Sequence, residues 1–92
     1  MALIYQAMDP GDAQIRAALV QDLGSADLWV YRVSTRGQAR GDALWYITRD
    51  RNEAGARVWF GSIGMSQVKI CFVDGHGLAG WRRPHPLGGR FG

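Results

Sequence analysis

The sequence predicts a small all-β domain, built mainly of short strands from a repeated strand-turn unit and folded into one compact body. Three features of the 92-residue chain indicate this class. Alanines, with one valine among them, recur at intervals of 11 to 15 residues, turn residues precede most of them, and short aromatic or β-branched runs lie between the turns. A chain of this length holds one core, so every strand must share it.

The repeat is marked by an alanine at the end of successive turn segments. The turns before these alanines are mostly rich in Gly, Asn, Asp or Ser, as in Pro10-Gly11-Asp12, and such residues favour tight turns. Turn chemistry therefore recurs in phase with the alanines. The marker positions are Ala13, Ala26, Ala39, Ala54 and Ala79, with Val68 in a weaker copy.

Four apolar runs between the turns are predicted to be strands, at residues 28–31, 44–47, 58–60 and 70–73. Because neighbouring positions within each run are all apolar, we expect protein to cover both faces of the strands. The segment 12–23 has apolar residues at helical spacing, so a short helix stays open there, although the phase of the repeat favours a strand. When the runs are aligned by the repeat, they predict a structural core of Leu28, Trp29, Leu44, Trp45 and Trp59.

Charge separates the chain into two segments, a β-repeat domain at residues 1–81 and a C-terminal tail at residues 82–92. The tail is rich in Pro, Gly and Arg, and we expect it to be extended or mobile. It carries Arg82, Arg83 and Arg90 and no acid, so residues 1–81 hold eight basic and eight acidic side chains. The folded body is thus formally neutral, and any affinity for nucleic acid is predicted to reside in the tail.

No pattern of reactive residues predicts catalysis, a cofactor or a metal. Cys71, Asp74, His76 and His85 lie at a spacing that matches no standard metal site. The chain has no Gly-x-Ser-x-Gly turn, and Glu53 is its only glutamate. We therefore expect no catalytic, cofactor-binding or metal residues and no enzyme, but an interaction or structural module. The alternative is weak nucleic-acid binding by Arg82, Arg83 and Arg90.

The cellular setting expected from the sequence is the cytoplasm. Hydrophobic residues make up 47% of the chain and charged residues 21%, which indicates a folded rather than a disordered protein. Its apolar runs are too short for a signal peptide or a membrane span, and the lone Cys71 cannot form an internal disulfide. We expect no membrane association, and a monomer in preference to a homodimer. The sequence also allows binding to an unknown protein partner.

The chain resembles the septknot family, small bacterial proteins of unknown function that repeat an apolar strand and a polar turn ending in alanine. The resemblance implies a compact β-rich fold whose chain threads itself into a seven-crossing knot, whereas the repeat alone also allows a small β-solenoid. It implies no activity, catalytic residue or cofactor. The stretches that carry it are ADLWVYRV at 26–33, RGQA at 36–39, the insertion RGDA at 40–43 before LWY at 44–46, and AGW at 79–81.

Overall fold

A computed structural model describes residues 2–92 and shows an all-β fold, as the sequence predicts. Within this range the only helical elements are five single 3₁₀ turns. The segment 12–23, where a helix stayed open, contains a strand. The strands are β1 Ala2–Gln6, β2 Ile15–Leu19, β3 Leu28–Arg32, β4 Leu44–Thr48, β5 Ala56–Phe60, β6 Val68–Phe72 and β7 Gly80–Trp81.

The first six strands form a closed ring of parallel strands in the order β1-β5-β2-β6-β3-β4, and β4 returns to β1. Ala2 pairs with Trp45 of β4 and Ile4 pairs with Ala56 of β5, so β1 has a partner on both edges. The short β7 adds antiparallel to β3. Apart from β3 and β4, strands that follow each other in sequence are separated in the ring by a third strand.

The connection between two such strands crosses the outer face of the strand that separates them. The β1–β2 connection lies over β5, where the Ala7 amide donates to the Val58 carbonyl at 2.8 Å. The β5–β6 connection lies over β2, where the Gly61 amide donates to the Ala17 carbonyl at 2.8 Å. Each half of the chain therefore passes both over and under the other half. This threading distinguishes the fold from a solenoid, and it covers both faces of the strands as the apolar runs predict.

Side chains fasten the connections to the strands beneath them. The fastening residue comes directly after the position that alanine marks, and its side-chain oxygen accepts a hydrogen bond from the second residue of the strand it crosses. These acceptors satisfy strand N–H groups that the ladder leaves free. The three bonds are Arg57 N to Gln14 Oε1 at 3.0 Å, Lys69 N to Asp27 Oδ2 at 2.9 Å and Arg16 N to Gln67 Oε1 at 2.9 Å.

All marker alanines except Ala54 cap 3₁₀ turns, and one marker position predicted from the sequence is wrong. Ala26 and Ala39 follow the turns Leu23–Ser25 and Arg36–Gln38, and both are buried, which explains the small side chain. In the β5–β6 connection the same position is occupied by Ser66, not by Val68. Val68 is instead the first residue of β6 and points into the core.

Only two of the five predicted core residues are fully buried inside the ring. Leu28 and Trp45 are 0% exposed. Trp29, Leu44 and Trp59 are only half-buried, so the prediction that they lie in the core is wrong. In β3, Leu28 faces inward and Trp29 faces the connections. In β4 the alternation is reversed and Trp45 faces inward, because Leu44 follows its marker alanine after five residues, whereas Leu28 follows its own after two.

The tail is part of the folded body, which corrects the expectation of an extended or mobile segment. Leu87 and Phe91 are buried and belong to the same hydrophobic cluster as Trp45. The tail uses its prolines and glycines to turn back over the ring rather than to leave it. No helix in residues 2–92 is long and apolar enough to cross a membrane.

Candidate functional site

The three arginines predicted to bind nucleic acid have different surroundings. The Arg82 guanidinium lies 4.0 Å from the centre of the Trp29 ring, a cation–π contact. Arg83 Nε lies 3.6 Å from the buried Asp27 carboxylate. Arg90 is exposed further along the tail. The Asp27 carboxylate offsets part of the charge of Arg83, whereas the cation–π contact leaves the charge of Arg82 available to an external phosphate.

An open groove of about 530 Å³ runs along the start of the tail. On its wall the Trp81 and His85 rings stack with centres 5.0 Å apart and planes 14° apart. His85 Nδ1 accepts a hydrogen bond from the Leu87 amide at 3.1 Å, and this bond fixes the ring. The groove therefore combines flat rings with guanidinium groups. Its lining residues are Trp81, Arg82, Arg83, Pro84, His85 and Gly88.

The Asp42 carboxylate holds the tail against the ring. It accepts hydrogen bonds from Trp81 Nε1 at 2.8 Å and from the backbone amides of Gly89 at 2.5 Å, Phe91 at 3.0 Å and Gly92 at 3.2 Å. Burial alone would raise the pKa of Asp42, but these four bonds outweigh it and hold the pKa below its ordinary value. Asp42 was not predicted as a site residue, although it lies in the four-residue insertion that interrupts the repeat.

We expect acid to weaken the fold through Asp42. Because the pKa is lower in the folded chain than in the unfolded one, the four bonds stabilise the protein near neutral pH, and this contribution is lost as the pH falls through and below the ordinary carboxyl value. Asp42→Asn keeps the size and removes the titration. The difference in unfolding free energy between wild type and this variant should shrink on acidification from about pH 7 to about pH 3, whereas a constant difference would contradict the assignment.

One side of the outer surface carries most of the large exposed apolar side chains of residues 2–92. Three adjacent strands, β2, β6 and β3, are crossed by connections whose 3₁₀ turns are Ile63–Met65, Leu23–Ser25 and His76–Leu78 respectively. Neighbouring strands lie about 4.8 Å apart, so the three turns form neighbouring ridges. We call this side the apolar face. Its large exposed side chains on these turns are Leu23, Ile63, Met65 and Leu78, with exposures of 45% to 63%.

Hollows separate the ridges of the apolar face. One, of about 340 Å³, lies between the turns that carry Leu23 and Leu78, and Cys71 is among its lining residues. The other, of about 230 Å³, lies beside Ile63 and reaches Asp27 and Lys69. The larger hollow therefore lies between apolar ridges, whereas polar residues form most of the lining of the smaller one.

The opposite side of the ring, over β4, β1 and β5, is charged. Arg36 pairs with Glu53 at 2.7 Å, and Arg51 pairs with Asp12. The bond to Arg36 is the main reason why the pKa of Glu53 lies below its ordinary value. These exposed pairs keep this side solvated and contribute little stability each.

The residues weighed as metal ligands lie apart. His76 meets the Tyr31 ring edge-on at 5.6 Å, whereas His85 stacks on Trp81. Among residues 2–92 no three His, Cys, Asp or Glu side chains form a group that could hold a metal ion. Burial, and secondarily the charge of Asp22, raises the pKa of the Cys71 thiol, so the thiol is the prevailing form at neutral pH.

Comparison with known proteins identifies one relationship. A family model described as the 7(1) septoil knot domain matches residues 1–82. The match covers the closed ring and β7 and ends where the tail begins. No curated protein and no solved structure matches the chain.

Proposed function

The chain belongs to the septoil knot domain family, a family of unknown function, and from this premise we propose that it is a non-enzymatic module that binds another protein through the apolar face. The observation that carries the proposal is the grouping of four exposed apolar side chains on three neighbouring turns. Contiguous apolar surface of this kind marks interaction sites in folded proteins, whereas single exposed apolar residues do not.

The energetics of the apolar face suit a protein partner. Each square ångström of apolar surface removed from water contributes about 25 cal/mol, so burying four Leu, Ile or Met side chains contributes several kcal/mol. The ridges are fastened to a closed ring, so they lose little conformational freedom on binding. Absence of catalysis is part of the proposal, and it is supported by the carboxylates of Asp12, Asp27, Asp42 and Glu53, which pair with groups of their own chain.

We expect polar substitutions on the apolar face to abolish binding of the partner protein. A Leu23→Ser, Leu78→Ser double variant should lose at least tenfold in affinity for the captured partner, because both walls of the larger hollow lose their apolar surface. The measurement is quantitative pull-down from the source lysate at low and high salt. Apolar binding should survive salt, since screening acts on exposed charges.

Met8→Ser is the matched control. Met8 is 87% exposed but lies in the β1–β2 connection, which crosses β5 outside the apolar face. Its substitution should leave the captured partner unchanged. A partner that is lost equally with both variants, or retained with the double variant, would contradict the proposal.

The groove beside the tail favours a second candidate, weak nucleic-acid binding. Its stacked Trp81 and His85 rings beside Arg82 and Arg83 offer both base stacking and phosphate pairing. Binding of a single-stranded oligonucleotide should weaken steeply with salt, and replacing Arg82 by serine should reduce the salt slope by about one for a lost phosphate contact. Substitution is preferable to deletion of the tail because Phe91 lies in the core. An unchanged slope would rule out this use of Arg82.

A further inference from the structure

We propose that the site holding the end of the tail is a peptide-binding site, which takes from a partner a segment with an aromatic residue between glycines. We call it the tail site, and its residues are Gly41, Asp42, Trp45 and Trp81. In this structure the chain's own residues 89–92 occupy it. The proposal goes beyond the apolar face, because it concerns a different surface and a defined ligand chemistry.

The apolar half of the tail site is an aromatic pocket. Phe91 is 1% exposed in it, with its ring centre 5.3 Å from that of Trp45 and 6.1 Å from that of Trp81. Phe60 and Phe72 extend the aromatic wall behind Trp45, with ring centres 6.4 and 6.1 Å away. A ligand must therefore insert one aromatic side chain, and smaller residues would leave the pocket incompletely filled.

The polar half of the tail site binds backbone amides, and it can therefore bind a segment of another protein chain. Asp42 accepts hydrogen bonds from three backbone amides of the tail, a group that any peptide possesses, those of Gly89, Phe91 and Gly92. A bound segment that offered no amides would leave this carboxylate with the Trp81 indole as its one remaining partner, which is unfavourable. The site thus selects a main-chain conformation as well as a side chain.

Two steric features define the flanking residues of the ligand. Gly89 has a φ of 84°, a conformation that glycine adopts freely and other residues rarely adopt. At Gly92 a β-carbon would lie 2.1 Å from the Gly41 carbonyl oxygen, so the backbones approach too closely for a side chain. The chemistry expected of the ligand is therefore glycine, any residue, an aromatic residue and glycine.

The tail can leave the site without undoing the ring. All six ring strands pair among themselves, and no residue after Trp81 belongs to a strand. The family match also ends at residue 82, before the tail site's occupant begins. Release costs the contacts of the tail alone, so an external segment with the same chemistry competes with it directly.

The test uses the full chain with Phe91→Ala and the acetylated, amidated peptide LGGRFG, which copies residues 87–92. The peptide should bind this variant saturably, raise its melting temperature and change its tryptophan emission. Wild type should bind it at least tenfold more weakly, because the attached tail competes at an effective concentration of about millimolar. The peptide LGGRAG is the matched control and should not bind. Equal binding of both peptides, or no binding to the folded variant, would overturn the proposal.

Two further variants keep the test decisive. If Phe91→Ala does not fold, Gly89→Ala replaces it, because this change strains the attached tail but removes no core side chain. LGGRFG should then bind Gly89→Ala more tightly than wild type, and equal affinity would overturn the proposal. Adding Asp42→Asn to either variant should weaken the peptide about tenfold or more, the effect of losing hydrogen bonds to a charged acceptor.

Discussion

Replacing Trp45 by alanine is expected to lower the free energy of unfolding by about 3–5 kcal/mol, the range of large truncations in protein cores. Trp45 is the largest fully buried side chain, and its ring contacts Phe60, Phe72 and Phe91. Its indole N–H also donates to the Asp42 carbonyl at 2.6 Å, so alanine removes a buried hydrogen bond together with the packing. Denaturant titration followed by circular dichroism measures the change.

Trp59→Ala is the control within the same fold. The Trp59 ring is half-buried and lies across Gly61 on the outer side of β5, so its loss opens no cavity inside the ring. We expect a cost clearly below that of Trp45→Ala. A loss under about 1 kcal/mol for Trp45→Ala, or equal losses for the two variants, would contradict the placement of Trp45 at the centre of the core.

Much of the local structure follows from the sequence alone. The runs at 28–31, 44–47, 58–60 and 70–73 overlap β3, β4, β5 and β6, because aromatic and β-branched residues between turn residues form strands in most contexts. Because these runs have no polar face, they also predict that a second layer of protein covers the outer face of the strands. The connections supply that layer, and they are fastened by residues such as Asp27.

The parts that could not be predicted depend on long-range pairing. No local sequence feature predicts that β1 pairs with β4 and β5 rather than with β2. The inward position of Trp45 depends on the insertion at 40–43, and a shift of one residue exchanges the two faces of a strand. In the tail, the Pro and Gly content predicts an extended or mobile segment and gives no sign that Leu87 and Phe91 anchor it. Their role follows only from the fold, which brings Asp42 next to the tail.

The same dependence conceals the candidate sites. The apolar face is assembled from turns that lie far apart in sequence, those containing Leu23, Ile63 and Leu78, and it exists only because β2, β6 and β3 are neighbours in the ring. Taken singly, each of these residues is an ordinary exposed apolar side chain. Their grouping is a property of the threading and not of any local motif.

Unfolding of the ring is expected to be one slow, cooperative transition in which β1 and β7 open together with the strands between them. β1 lies between β4 and β5, and the β4–β5 connection crosses over it, where the Gly55 amide donates to the Leu3 carbonyl at 2.8 Å. The first strand therefore cannot detach while these neighbours stay in place. In a solenoid the terminal units contact only one neighbour and fray independently.

Hydrogen exchange at two amides tests this expectation. The Ala7 amide bonds to Val58 of β5, and the Arg82 amide bonds to the Asp27 carbonyl, both at 2.8 Å. Under native conditions both should exchange with opening free energies close to that of global unfolding, while the exposed turn Ile63–Met65 exchanges fast and serves as the internal reference. Stopped-flow unfolding should show one slow phase for the tryptophans and for the far-ultraviolet signal alike. An Ala7 or Arg82 amide that opens several kcal/mol below the global value would mean that the ends fray as they do in a solenoid, because threading requires them to be released only when the ring itself opens.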